Sequence, residues 1–135
     1  MKEKLKEVID NERLALIELL KLLDEQMVYI TKNDVFALDA IVEKIKNSNK
    51  EVAQLEVERR KILNGKTIKE AIYELEDEEL EKSYREIKKT VEEVVLQKES
   101  NDMLIKQQLS YTNQLLTFLN PNREVKTYNS YGKFK

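Results

Sequence analysis

Six carboxylates fall within eight residues at ELEDEELE, Glu74 to Glu81, the densest stretch of chemistry-bearing side chains in the chain. Acids this close could hold a divalent cation through oxygen ligands, or work as a general acid and base. Their surroundings argue against both. No loop with EF-hand ligand spacing accompanies the run. The chain has no His, the commonest general base and metal ligand, and no Cys, which excludes disulfides and thiolate sites. No nucleophile–base pair or phosphate-binding glycine loop is legible. Acids just ahead of a helix favour the positive end of its dipole instead. The expectation is a non-enzyme without metal or cofactor.

Two further polar residues interrupt apolar patterns. Arg59, in LEVERRKIL, falls where a helical stripe calls for an apolar residue. It could meet a ligand. The structural alternative is a pair with Glu56 one turn earlier, for which Arg60 competes, or a head group reaching to water. Asn101, in KESNDMLIKQQL, lies on a seam, where an Asn fixes register or reads a partner. A structural role is the expectation for both.

The elements that carry these residues follow from periodicity and caps. The chain has 135 residues, 37% charged and 41% hydrophobic, with two Gly and one Pro, a composition for long helices in one domain. Residues 2–31 repeat apolar positions at Leu5, Ile9, Leu16, Leu19, Leu23 and Ile30, with Glu12 and Gln26 filling the gaps. A polar turn, Thr31-Lys32-Asn33-Asp34, supplies N-cap residues for the next helix. That helix carries Leu38, Ile41, Ile45, Val52, Leu55 and Ile62, and Asn64-Gly65 stops it. Thr67 and Glu70 form a capping box for a short helix to about Leu75. Asp77 then caps a long helix ending near Leu119, ahead of Asn120-Pro121. Its early stripe is Leu80, Tyr84, Ile87, Val91 and Val94. Its late stripe, Ile105, Leu109, Thr112, Leu116 and Leu119, is offset by one residue, the mark of a stutter.

The fold class is therefore all-α: an up-down-up antiparallel bundle or coiled coil of three long helices plus one short one, covering residues 1–121. The first two helices reach about 45 Å and the last about 65 Å at 1.5 Å per residue. Roughly the last dozen residues, QLSYTNQLLTFL, should overhang the bundle. An apolar end of this kind needs a partner unless it folds into ordinary core or self-associates. Leu115 and Phe118 join the late stripe as candidate binding residues.

Residues 122–135 are expected to form a separate flexible tail; its net charge is +3 (four basic residues, one acid), and its Tyr128, Tyr131 and Phe134 recur at every third position. It is either an unstructured terminus or a docking peptide with aromatic anchors. Net charge −2 gives no sign of nucleic-acid binding, and no run of about 18 apolar residues could span a bilayer. Acids stand where a secretory signal would be apolar, so the expected location is the cytoplasm.

The chain resembles the FlgN family, flagellar type III export chaperones for hook-associated (hook–filament junction) proteins. The resemblance rests on LLKLLDEQMVYITKNDVFALDAI, NKEVAQLEVERRKILNG, SNDMLIKQQLSYTNQLLTFL and the Tyr128–Gly132 ending, in that order. It implies a chaperone that binds the C-terminal helical region of hook-associated proteins through the late helix. It also implies delivery to the cytoplasmic domain of the export gate, a role that would fall on Tyr128, Tyr131 and Phe134. The dense acid run and the chain's stop three residues after Gly132 depart from that pattern. The rival reading is a coiled-coil scaffold or oligomerisation module without an export role. For the free protein the expectation is a monomer or weak homodimer.

Overall fold

The computed structural model describes residues 2–120. Four helices follow in order: α1 (Lys2–Thr31), α2 (Val35–Leu63), α3 (Ile68–Leu75) and α4 (Glu78–Leu119). The boundaries fall where the caps put them. Asp34 accepts a hydrogen bond from the Ala37 amide at 3.1 Å to open α2. Thr67 and Glu70 close the reciprocal capping box of α3, at 3.1 and 3.2 Å. Asp77 accepts from the Glu79 and Leu80 amides to open α4. At the end of α2, Asn64 itself takes the left-handed conformation, with φ 49°, and Gly65 follows at φ 88°.

The three long helices run up, down and up, and α1 is the shared partner: it packs along α2 on one side and along α4 on the other. That position explains how much of α1 is covered. Leu5, Ile9, Leu16, Leu19, Leu23 and Ile30 are buried, as its periodicity requires, and so are the gap-fillers Glu12 and Gln26. Val8, Ala15 and Leu22 are buried as well. A single stripe serves one neighbour; α1 has two. Each fully buried Leu or Ile contributes about 1.5–3 kcal/mol. Leu63 of α2, Ala71 of α3 and Leu80 of α4 join the same core, with Ile68, Ile72 and Leu75 packed partly against it.

One stripe position differs from expectation. Val91 is 41% exposed, and Thr90 is buried beside it instead. Thr90 tolerates this because its hydroxyl donates to the Glu86 carbonyl at 3.0 Å, so burial strands no polar group. The line of α4 that meets α1 is Leu80, Ile87, Val94, Asn101 and Gln108, with Ser83, Thr90, Gln97 and Leu104 between. These positions alternate steps of three and four, an unbroken heptad pattern. The expected stutter does not displace this line; after Val94 the amides Gln97, Asn101 and Gln108 join it.

Candidate partner-binding site

Amides carry the hydrogen bonds between the upper half of α4 and α1. Asn101 is 1% exposed. Its Nδ2 donates to the Leu23 carbonyl at 2.7 Å and to Gln26 Oε1 at 3.0 Å, while its Oδ1 accepts from Gln97 Nε2 at 2.9 Å. One turn-pair higher, Gln108 Nε2 donates to the Ile30 carbonyl at 2.8 Å. Ile30 is the penultimate residue of α1, and its carbonyl also accepts from the Asn33 amide at the turn. Gln108 therefore marks the level at which α1 ends. Nothing in its local sequence distinguishes it from Gln107; only the relative height of two helices does.

α4 continues for eleven residues beyond that pin, about three turns or 16 Å. The next positions of its heptad line are Tyr111, Leu115 and Phe118, and they are 69, 47 and 82% exposed. Residues 107–120 contain no Asp, Glu, Lys or Arg, in a chain that is 37% charged. Depletion of charge with aromatic enrichment is the compositional mark of an interface core, not of a solvated helix end. Of the residues named from the late stripe, Ile105, Leu109 and Leu116 are half-buried, while Thr112 and Leu119 are exposed. Leu109 and Phe118 also border a shallow depression on the flank of α4 with Ser110, Asn113 and Thr117. Tyr111 stands on the heptad line, though the late stripe passes it by.

The other polar residues take structural roles. Arg59 Nη1 reaches Glu12 Oε2 on α1 at 3.2 Å, and its Nη2 lies 3.7 Å from Glu56. Arg60 takes the closer bond to Glu56, 2.7 Å. The two interruptions in the α1 and α2 stripes thus answer each other across the seam. Glu12 is 4% exposed; burial pushes its carboxyl above the ordinary range, Arg59 pulls it back, and Glu56 adds repulsion. Three of the six acids in the run are likewise spent on structure. Asp77 pairs with Lys6 at 2.7 Å and Lys2 at 3.4 Å, tying the start of α4 to the start of α1. The Lys6 hydrogen bond, with the two backbone amides, holds Asp77 down to about 2. Glu74 pairs with Lys66 and Glu79 with Lys6. Among the described residues no three acids converge on a point where a metal ion could sit. Tyr128, Tyr131 and Phe134 lie outside the described residues.

The FlgN family model, described as FlgN protein, matches residues 1–135, the full length of the sequence. The chain belongs to the FlgN family. No curated protein and no solved structure is significantly similar to it. Membership in this family of flagellar export chaperones agrees with an all-helical body whose polar residues serve packing. Among the described residues no helix is long and apolar enough to cross a membrane.

Proposed function

We propose that this FlgN-family chain is a cytoplasmic, non-enzymatic chaperone that captures the C-terminal helical region of hook-associated proteins on the projecting end of α4. Capture there keeps the cargo from assembling early, and the complex is then delivered to the flagellar export gate. One observation carries the reading: α4 runs three turns past its last pin to α1, without a charge and with apolar residues bare. Water is a poor partner for such a segment, and a helix of matching apolar face is a good one. The residues assigned to capture are Ile105, Leu109, Thr112, Leu115, Leu116, Phe118 and Leu119. Gate docking is assigned to Tyr128, Tyr131 and Phe134, whose neighbouring Lys and Arg would steer them to an acidic surface.

The test is co-purification with C-terminal segments of hook-associated proteins, read by light scattering. A stable complex is expected. Replacing Leu115 and Leu119 together with Ser should abolish it while circular dichroism stays unchanged. Two lost Leu contacts at about 2–5 kcal/mol each are large against the roughly 8 kcal/mol of a micromolar complex. Retained affinity in a folded double variant would sink the assignment; a self-associated chain indifferent to every segment would favour the scaffold. Tyr128→Ala should leave capture intact and weaken gate docking and secretion, and unchanged docking would release the tail from that role.

A further inference from the structure

Two bare apolar residues of α4 belong neither to its seam with α1 nor to the late stripe. Leu96 and Met103 are 67 and 60% exposed. Each stands two residues on from the seam positions Val94 and Asn101, about 200° round the helix, on the flank turned away from α1. Ser110 and Thr117 continue their line at seven-residue steps. Two shallow depressions lie end to end along this flank. Thr117, Asn113 and Ser110 border the upper one, Ser110, Met103 and Glu99 the lower, and Lys106 lies on both. From Thr117 down to Leu96 the line is about 30 Å long.

Its lower end is acidic. Between Glu92 and Asp102, α4 carries four acids, Glu92, Glu93, Glu99 and Asp102, against Lys98, a net charge of −3. None of the four meets a Lys or Arg among the described residues. Asp77, Glu79 and Glu86, lower on the same helix, are all paired with α1. Apolar side chains among unpaired acids suit an occupant that is basic and bears large apolar groups.

We infer that the occupant is the chain's own residues 123–135, seated along this track in the free protein. Their charge is the complement of the track: Arg123, Lys126, Lys133 and Lys135 against Glu124, net +3. Their spacing matches it as well. Tyr128, Tyr131 and Phe134 recur every three residues. An extended polyproline-II segment has three residues per turn, so the three rings share one edge and advance about 9.3 Å at each step. A heptad of helix advances about 10.5 Å, and the two repeats stay nearly in step. Asn120-Pro121-Asn122 are turn formers able to reverse the chain. Tyr128 then lies about 16 Å past Arg123, level with Ser110, about 15 Å below Asn120. Tyr131 comes level with Met103, where ring and thioether attract, and Phe134 with Leu96. Lys133 falls beside Glu99. Seated this way, the three rings are withheld from any other surface. The seat goes beyond the capture and docking roles proposed above and does not depend on either.

The experiment uses the full chain with a photo-crosslinker at position 103, as an equal mixture of isotope-labelled and unlabelled copies read by mass spectrometry. Crosslinks to residues 128–134 of the same copy are expected. Their yield should fall about threefold or more in Leu96→Ser, at unchanged circular dichroism, and by a similar factor at high salt, which screens the charge match. A crosslinker at position 91 is the control: Val91 is 41% exposed, about 140° round the helix from Leu96, and should reach the same residues at less than about a tenth of the yield. Equal yields from positions 91 and 103 would overturn the seat. So would a yield indifferent to both Leu96→Ser and salt. Crosslinks joining labelled to unlabelled copies would overturn it in favour of a second chain on the track. If Tyr128→Ala loses gate docking while position 103 never reaches the tail, the docking role stands and the seat fails.

Discussion

The lower and upper parts of α4 share one heptad pattern and do opposite things with it. Below Val94, Leu80, Ile87 and Val94 are buried on α1, and charged residues cover the remaining faces. Above Gln108, Tyr111, Leu115 and Phe118 are bare, and there is no charge at all. Between the two lies an amide stretch, Gln97, Asn101 and Gln108, bonded to the Leu23 and Ile30 carbonyls and to Gln26. Helical periodicity says which residues share a face. It does not say whether that face is a core or a site. Charge around the face separates the two parts: below Val94 the sides away from α1 are dressed for water, and above Gln108 they are not.

The comparison breaks most readily at its two ends. Leu80→Ala should lower unfolding stability by about 2–5 kcal/mol in urea titrations, while Leu119→Ala should stay within about 0.5 kcal/mol. Equal losses would mean that the projecting end is part of the core. The amide stretch should fall between. Asn101→Ala leaves the Gln26 and Gln97 amides short of a buried partner, at about 1–3 kcal/mol, and amide exchange should quicken above residue 101 more than below it.

The smallest effects are in pH, and they carry opposite signs. Asp77 has its folded value lowered from 3.8 to about 2, so its stabilisation is complete above about 4 and is lost as pH falls toward 2. The melting difference between the native chain and Asp77→Asn should accordingly shrink to nothing across that window. Glu12 has its folded value raised above 4.5. The folded state then binds the proton more tightly, and stability declines as pH rises from 4.5 through the folded value. Glu12→Gln should flatten that decline. A decline that survives in Glu12→Gln would show that another group carries it.

Most of the fold was legible because its punctuation is local. Asp34, Thr67 with Glu70, and Asp77 each bond amides two or three residues on, so short stretches of sequence fix every helix start after the first. The seams were legible only in outline. Glu12 and Arg59 both stood out as interruptions, yet the nearer Glu56 offered Arg59 a complete explanation. Their pairing depends on the relative height of α1 and α2, which no local pattern encodes. The same holds for Gln108, whose meaning lies entirely in its level with Ile30. Val91 was misread because a three-four apolar rhythm outvoted a threonine that could satisfy its own hydroxyl. At the site, the late stripe through Leu109 and Leu116 caught the apolar content of the projection, while Tyr111, off that stripe, shares the heptad register of the seam below.

The parallel pairing of α1 with α4 has a consequence in time. α1 and α2 are joined by a turn of three residues, so their contacts beside the turn close short loops, and even Glu12 with Arg59, 47 residues apart, spans less chain than the contacts of α4. The contacts of α4 with α1 join residues about 70 to 78 apart, as in Lys6 with Asp77 or Ile30 with Gln108. They wait on a longer loop closure. During synthesis the α4-facing flank of α1 can begin to be covered only once Asp77 and the residues after it have emerged. The Gln108 pin, at the far end of that flank, can close only after residue 108 has emerged.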